Sequence, residues 1–393
     1  MLHFLFVSDS FKGSLTSEDT ARLLTQAARE VFPDCACEGV PVADGGEGTA
    51  YAVAKAEGGS MRTVTVNDPL FRPVEASYAI LPGDRAVIEM AAASGLPLLQ
   101  PAERDPLRTT TYGTGELIRD ALEQGYTDIA VAIGGSATND GGIGCLRALG
   151  ARLLDKDGNE LEGRGEDLRR LASLDLAGLD PRLQSASLTI MCDVQNVLCG
   201  PDGATFTFGP QKGANTAKLA FLEEGMLRYQ ALLKETCGKD CSLLPGTGAA
   251  GGLGAALSVV LGGTLRSGIR TVLDLIHFKE RLEGTDLVIT GEGRTDWQSA
   301  QGKVMAGVGE AAAAAGIPVV GICGGLGRGA MDILDHGVSS LMTTVNAPMT
   351  LDEAIGRARE LYLDAARRTF YMLKAGMQLK DSDRSMREFM RRG

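Results

Sequence analysis

The sequence predicts an α/β fold of two domains, in which a doubly wound parallel sheet is interrupted by an inserted mixed α/β domain. Short apolar strands alternate with helices at both chain ends, and three strands separated by tight turns lie in between. The length of 393 residues also exceeds the size at which single cores stop growing. The predicted boundaries are 1–82 plus 281–380 for the outer domain, 83–280 for the inserted domain and 381–393 for a charged tail. Two consecutive domains fit the pattern nearly as well.

The N-terminal part begins with two strand–loop–helix units. The first is an apolar strand over 2–7, a polar loop over 8–14 and a helix capped by Thr16 or Ser17 that reaches Val31. The second has a short strand near 39–42, the loop 43–49 and a helix to Glu57. Three strands then follow, joined by Asp-Pro and Pro-Gly-Asp turns that predict antiparallel pairing: 63–66, 74–81 and 86–91.

The alternation resumes after Thr109. The middle of the chain predicts two strands, over 128–133 and 187–192. It predicts helices over 115–124, from the glycine-rich loop up to 149, and over 216–236, 253–262 and 269–282. The C-terminal part predicts strands over 286–290, 317–323 and 340–344, and helices over 303–315 and 351–373. Two early and three late strands would together form one five-stranded sheet.

Composition excludes several classes of protein. The 39 basic and 50 acidic residues give a net charge of −11, which argues against a nucleic-acid or membrane-surface binder. The hydrophobic share of 44% excludes a disordered chain. Eight cysteines without a C-x-x-C spacing indicate reduced, buried thiols, and no signal peptide precedes Ser8, so a cytoplasmic enzyme is expected. The uncharged run 243–265 contains seven glycines and predicts a loop with a core helix, not a membrane span.

Familiar nucleotide-binding signatures are absent from the sequence. There is no G-x-x-x-x-G-K-[ST] and no kinase H-R-D or D-F-G set. The G-x-G-x-x-G match at 246–251 follows a proline instead of a buried strand, so it does not predict dinucleotide binding.

Four strand-end loops combine glycine with carboxylates, hydroxyls or lysine: 9–14, 44–48, 134–142 and 291–296. The carboxyl ends of parallel strands meet where ligands bind, and glycine lets the backbone approach a phosphate. Each loop alone is more typical of a tight turn, but four together supply what phosphates and Mg²⁺ require. A weaker fifth candidate follows the strand at 187–192, around Asp193.

The loop sequences resemble the bacterial glycerate kinase family, its type-1 group. The motifs are Ser8–Ser14, Val42–Thr49, Ile133–Gly142 and Thr290–Asp296, in that order, and the resemblance covers about residues 2–378. It implies a flavodoxin-like domain formed by both chain ends and an inserted domain related in shape to restriction endonucleases. It also implies Mg²⁺-dependent transfer from ATP to D-glycerate giving 2-phospho-D-glycerate, in an interdomain cleft. The partners of the protein would be the small molecules ATP and D-glycerate.

Chemistry suggests roles for individual residues. Asp44 or Asp193 would be the base, with Lys12 and Arg294 completing the catalytic set. The metal ligands would be Asp193, Glu292 and Asp296. Substrate or nucleotide binding is predicted for Ser10, Ser14, Gly45, Gly46, Glu47, Gly134, Gly135, Ser136, Thr138, Asn139, Asp140, Gly291 and Lys303.

Three alternatives remain open from the residues alone. The enzyme could phosphorylate the 3-hydroxyl of glycerate or another small hydroxy acid, since the same loops would serve. The chain could also be a non-catalytic metabolite or nucleotide sensor. A homodimer is neither required nor excluded by the sequence.

Overall fold

The computed structural model describes residues 1–392, with the side chains of 1–379. It divides into two compact units: the first comprises Met1–Asp44 and the chain from Leu273 onward, and the second comprises Gly45–Val272. Among the described residues, none of the helices combines the length and the apolar character that a membrane span requires.

The strands of the described chain are β1 His3–Phe6, β2 Ala36–Gly39, β3 Ser60–Asn67, β4 Pro73–Ile80, β5 Arg85–Glu89, β6 Asp128–Ala132, β7 Arg152–Leu154, β8 Ser173–Asp175, β9 Ser187–Met191, β10 Thr264–Arg266, β11 Leu287–Thr295, β12 Val319–Leu326 and β13 Ser340–Thr343. The α-helices are α1 Ser17–Val31, α2 Thr49–Ala56, α3 Ala91–Ser94, α4 Tyr112–Glu123, α5 Ile143–Ala148, α6 Ala204–Phe208, α7 Thr216–Cys237, α8 Leu253–Ala255, α9 Gly268–Leu275, α10 Phe278–Arg281, α11 Val304–Ala314, α12 Leu351–Gly356 and α13 Ala358–Arg392.

The first unit contains a five-stranded sheet in the order β13-β12-β11-β1-β2, and every neighbouring pair is parallel. When the strands are numbered within the unit, the order is 2-1-3-4-5, one of the two common doubly wound orders. The prediction of two early and three late strands in one sheet is confirmed.

Helices cover both faces of this sheet because successive strand residues point to opposite sides. Phe4 and Phe6 of β1 pack with Phe370 of α13, and α13 in turn packs along α1. On β12, a Cβ on Gly321 would touch Met305 of α11, on the other face. Helix α1 begins where predicted, because Thr16 forms a capping box with Asp19.

The second unit contains a mixed six-stranded sheet in the order β10-β9-β6-β5-β4-β3. Strands β3, β4 and β5 pair antiparallel, whereas β5, β6, β9 and β10 are parallel neighbours. A separate antiparallel pair joins β7 and β8. The main core packs β-branched and aromatic residues of this sheet against α4, including the fully buried Tyr78, Ile88 and Leu117.

The boundaries of the units differ from the predicted 82/83 and 280/281. Strands β3 and β4 extend the sheet of the second unit through the β4–β5 ladder, so this unit begins at Gly45. The predicted boundary at 82/83 cut through a local hairpin, because β4 pairs with β5 across a short turn. The non-local step is the pairing of β5 with β6, Val87 opposite Ala130, which places all three strands in the second unit.

Several elements also differ from their predicted bounds. Strand β2 lies earlier than 39–42, and β11 continues through Thr295, so the predicted loop 291–296 is mostly strand paired with β12. The predicted helix 269–282 is broken at His277, whose φ of 50° is left-handed. The helix predicted over 253–262 is reduced to α8 followed by a π-helical turn. The backbone of α13 continues into the predicted charged tail, whose side chains lie outside the described residues.

Candidate active site

In the first unit, the loop after β1 is bonded to β11 at the carboxyl end of the sheet. The backbone N–H of Asp9 donates to the carbonyl of Gly291 at 2.9 Å. Gly293 lies close to the backbone of Phe11 and Lys12, because a Cβ there would stand 3.6 Å from the Phe11 Cα. The predicted loops 9–14 and 291–296 are therefore neighbours.

Asp9 is the most electrostatically perturbed carboxylate of this region. Its pKa is raised to about 6, first by burial and then by the negative charges of Asp44 and Glu292. The Ser10 N–H, which donates to Asp9 Oδ1 at 2.6 Å, and the Lys12 ammonium oppose the rise. These mutual effects bring the predicted residues Lys12, Asp44 and Glu292 into one electrostatic cluster with Asp9. We call Asp9, Asp44 and Glu292 the acidic cluster.

Glu292 is 9% exposed, and its Oε1 has no hydrogen-bond partner among the described residues. Burial raises its pKa, while the hydroxyls of Ser299 and Thr295 and the charge of Lys303 lower it. The nearby charge of Asp296 raises it further. A buried carboxylate oxygen without a donor is suited to accept a cation.

The other predicted residues of the first unit are more exposed or serve the local turns. Ser14 Oγ donates to the Phe11 carbonyl at 2.8 Å, which closes the loop. Asp296 Oδ1 accepts from the Gln298 N–H at 3.0 Å in an Asx turn, and its Oδ2 lies 3.7 Å from Arg294 Nε. Arg294 is exposed, and Lys303 stands at the N-cap of α11. The remaining positions are Ser10, which is half-buried, and Gly291, which is buried in β11.

A preformed metal centre is not seen within the described side chains, where no three of His, Cys, Asp and Glu converge to hold an ion. Mg²⁺ is commonly held by one or two carboxylates together with substrate phosphates and water, so it needs no such protein cage. The predicted ligands Glu292 and Asp296 do interact, whereas Asp193 belongs to the second unit.

In the second unit, the carboxyl ends of β5, β6, β9 and β10 gather the remaining predicted residues. Asp193 follows β9 and accepts the N–H of Gly268, at the start of α9, at 2.8 Å. A Cβ on Gly45 would collide with that same Gly268, and one on Gly134 would lie 3.5 Å from the Gly46 Cα. Loop 134–142 and Asp193 therefore lie at the carboxyl ends of β6 and β9, as parallel strands predict. Loop 44–48 follows no strand of this sheet and joins them through the close packing of Gly45 and Gly46.

The helix that follows loop 44–48 has two N–H groups at its N-terminus engaged by one carboxylate. The carboxylate of Glu89, at the end of β5, accepts the N–H of Gly48 at 3.1 Å and of Ala50 at 2.7 Å. Glu89 therefore occupies the N-terminus of α2, directly after the predicted binding residues Gly45, Gly46 and Glu47. Glu47 stays exposed, and its charge raises the pKa of Glu89 together with burial, the larger cause.

Asp140 supports its loop from within, which differs from its predicted contact with substrate. Its side chain is fully buried and accepts hydrogen bonds from the Thr111 N–H and hydroxyl, both at 2.7 Å, and from the N–H groups of Gly142 and Gly144. These donors oppose the rise of its pKa that burial causes. Asp140 thus caps α5 and ties it to Thr111.

The rest of the loop combines exposed backbone with buried side chains. Gly134 and Gly135 are exposed, whereas Ser136, Thr138 and Asn139 are buried. Asn139 Nδ2 donates to Thr205 Oγ1 at 3.2 Å. The atoms Thr138 Oγ1 and Asn139 Oδ1 have no partner among the described residues.

Three residues of these clusters were not singled out from the sequence: Asp9, Glu89 and Lys212. Asp9 belongs to a loop that was identified, but its burial depends on the packing of that loop on β11. Lys212 is 1% exposed and donates to Ser136 and Thr138, 76 and 74 positions earlier in the chain. Lysine is almost never fully buried, so no local pattern predicts such a position.

Comparison with known proteins gives full-length matches. The sequence model of the Glycerate kinase family matches residues 4–374. A glycerate kinase of Halalkalibacterium halodurans is 45% identical over 91% of this chain and 95% of its own length. The glycerate 2-kinase of Escherichia coli is 44% identical over 96% of this chain and 99% of its own. A crystal structure described as glycerate kinase 2 from Salmonella typhimurium LT2 superposes with a TM-score of 0.87 at 44% identity, covering 96% and 99% of the two chains.

Proposed function

The chain belongs to the glycerate kinase family and is a kinase, and we propose that it transfers a phosphoryl group from ATP to D-glycerate, giving 2-phospho-D-glycerate. The observation that carries this proposal is the near full-length identity of 44% to a glycerate 2-kinase. The acidic cluster and the glycine loop 134–142 supply the two kinds of group that phosphoryl transfer needs: carboxylates for a proton and a metal, and a site for anions.

We propose that the base comes from the acidic cluster. A carboxylate with a pKa near 6 can take a hydroxyl proton at neutral pH more effectively than an ordinary one. Asp9 has this property, and Asp44 acts on it directly. Asp193 stays a second candidate, with one oxygen engaged by Gly268.

The residues present also fit Mg²⁺. The observation in favour is the buried Oε1 of Glu292, which has no hydrogen-bond partner among the described residues. The charge of Asp296 acts on the same carboxylate. When bound, Mg²⁺ would neutralise charge on the phosphates. Lys12 and Lys303, which act electrostatically on Asp9 and Glu292, would offset the negative charge of the substrates.

We further propose that the first unit is flavodoxin-like, that the second is related in shape to restriction endonucleases, and that groups of both units serve one reaction. The strand order 2-1-3-4-5 supports the first of these statements. If both units serve one reaction, substitutions in either of them should reduce the same turnover.

The reaction is tested by incubating the full chain with ATP, Mg²⁺ and D-glycerate and identifying the product by ³¹P and ¹H NMR. We expect 2-phospho-D-glycerate. Appearance of 3-phosphoglycerate instead would correct the position of transfer. Binding of glycerate and ATP without ADP release would favour the sensor over the enzyme.

The base is tested with Asp9→Asn, Asp44→Asn and Asp193→Asn. Loss of a general base lowers kcat by about 10²–10⁴, and we expect this for Asp9→Asn. Asp19→Asn is a matched control in the first unit, because Asp19 lies on helix α1 and pairs with Arg22 of α1 and Arg359 of α13. If all three variants turn over at the wild-type rate, the base lies elsewhere.

A further inference from the structure

Lys212 is a buried lysine that joins two parts of the glycine loop. Its Nζ donates to Ser136 Oγ at 2.7 Å and to the Thr138 carbonyl at 2.6 Å. It lies in a short 3-10 helix, Pro210–Lys212, that ends at Gly213, whose left-handed φ of 94° lets it pack on the Arg104 carbonyl. The two hydrogen bonds therefore hold the ammonium at the loop, and the packing of Gly213 fixes the backbone next to Lys212.

The side-chain bonds of Lys212 determine the course of the loop. Ser136 and Thr138 are two positions apart, so the ammonium spans the segment between them and holds it against the 3-10 helix. Gly134 and Gly135, directly before this segment, are exposed. Thr138 Oγ1 and Asn139 Oδ1 are fully buried and lack partners among the described residues.

The charge of Lys212 is not neutralised by an ion pair among the described residues. Asp140, the carboxylate that acts on it, uses both oxygens for Thr111, Gly142 and Gly144. Burial lowers the pKa of Lys212 to about 7, and the charge of Asp140 only partly opposes this.

The other titratable groups near this loop do not compensate the ammonium. Tyr229 and Cys145 have pKa values raised by burial, so they stay neutral. Helix α6, which packs against the 3-10 helix, carries no charged residue. Arg104 presents its backbone to Gly213. A buried ammonium without a counterion favours a nearby anion.

We propose that Lys212 is a positioning residue for an oxyanion of the substrate: through Ser136 and Thr138 it holds the loop 134–139 in its binding conformation, and it carries its proton when the oxyanion is bound. The oxyanion is the carboxylate of glycerate or a phosphoryl group of ATP. The inference rests on the proposed function for the identity of these ligands. Its chemistry requires only that a small anion bind at this loop.

The first experiment measures proton uptake on binding, and with D-glycerate it needs no variant. Calorimetric titrations of the wild-type chain with D-glycerate, and separately with ADP, are run in buffers of different ionisation enthalpy. Since burial lowers the pKa of free Lys212 to about 7, we expect D-glycerate to take up little proton at about pH 6 and clearly more at about pH 8. For ADP, whose terminal phosphate titrates in the same range, the uptake is read as the difference between wild type and Lys212→Met. The ligand whose binding shows this change is the one whose oxyanion lies at the loop.

The second experiment compares Lys212→Met with Lys218→Met. Lys218 is a neighbouring lysine that pairs with Asp105 at 2.9 Å and does not touch the loop. We expect Lys212→Met to raise the KM of one substrate by about tenfold or more and to abolish the excess proton uptake at about pH 8. Lys218→Met should change neither by more than about twofold.

The outcomes separate the inference from the proposed function. Proton uptake that is the same in wild type and Lys212→Met, or no uptake at about pH 8 with either ligand, overturns the role of Lys212. Proton uptake that depends on Lys212, without formation of phosphoglycerate, supports the role of Lys212 and refutes the proposed phosphorylation of glycerate. If Lys212→Met does not fold, Ser136→Ala removes one acceptor and keeps the charge, and an unchanged KM for both substrates in that variant contradicts the proposal.

Discussion

The charge on Asp9 should cost the fold stability, so that Asp9→Asn gives a more stable protein that is less active. Its pKa rises from 3.8 to about 6 on folding, because the carboxylate is buried beside Asp44 and Glu292. A difference of one unit in pKa is worth about 1.4 kcal/mol, so the penalty has a ceiling of about 3 kcal/mol. Asparagine keeps an oxygen for the Ser10 N–H and removes the charge. We expect a gain of about 1–3 kcal/mol at neutral pH.

The sign of this effect depends on pH in a defined way. Because the folded pKa lies above the unfolded one, the folded state holds the proton more tightly between about pH 4 and 6. The penalty is therefore absent below about pH 4 and complete above about pH 6. The stability difference between Asp9→Asn and wild type should follow the same course and approach zero at about pH 4.

The assay is thermal unfolding of both proteins from about pH 4 to 8, with EDTA present so that no divalent cation offsets the repulsion. For a chain of 393 residues, an unfolding entropy of about 2.1 cal/mol/K per residue makes 1 kcal/mol correspond to about 1 °C in Tm. Asp19→Asn is a control of opposite sign: burial is outweighed by bonds from Arg22 and the Thr16 N–H, so the Asp19 pKa is lowered. A Tm of Asp9→Asn equal to or below wild type at neutral pH would refute the reasoning.

Three further substitutions test the second unit. The cost of burying charged Lys212 is complete below about pH 7 and is relieved as the pH rises towards 10.5. The free energy of unfolding of wild type, measured with urea relative to Lys212→Met, should therefore rise by about 1.4 kcal/mol per pH unit in that window. Asp140→Asn turns an amide NH₂ towards backbone N–H donors and should cost about 2–3 kcal/mol in the same assay. Gly251→Ala would collide with the Thr138 carbonyl and should lower Tm far more than Gly262→Ala, which has a similar positive φ but open space around it.

Local sequence predicted the elements of the first unit well because each carries its own signals. The capping box of Thr16 and Asp19 fixes the start of α1, and short apolar runs mark the strands. The boundary of the second unit was predicted less well. Alternation in β3 and β4 indicates strands that form a hairpin with β5, but the unit they join is decided by the pairing of β5 with the distant β6. The left-handed His277 breaks a helix of continuous periodicity, and a histidine is only a weak local signal for that backbone conformation.

For the candidate site, the sequence predicted the positions of the loops better than it predicted which of their polar groups are free to bind a ligand. Loop 134–142 lies at the carboxyl end of β6 for topological reasons. Loop 44–48 follows no strand of that sheet and meets it through the close approach of Gly46 to Gly134. Whether a helix N-terminus is free depends on distant partners, and Glu89 occupies that of α2 from 39 residues away. Asp140 lies in the identified loop, yet its burial makes it a support of α5 and Thr111.

Net charge and local charge answer different questions about partners. The whole-chain value of −11 arises mostly from surface groups, whose influence is screened within about 8–10 Å at ordinary ionic strength. That value bears on large polyanions, which meet the surface. A small anion meets single groups: two charges 4 Å apart at an effective dielectric constant near 20 interact by about 4 kcal/mol. Lys212, 1% exposed and without a counterion among the described residues, can outweigh many surface carboxylates for such a ligand. An acidic chain is therefore no obstacle to an anionic substrate.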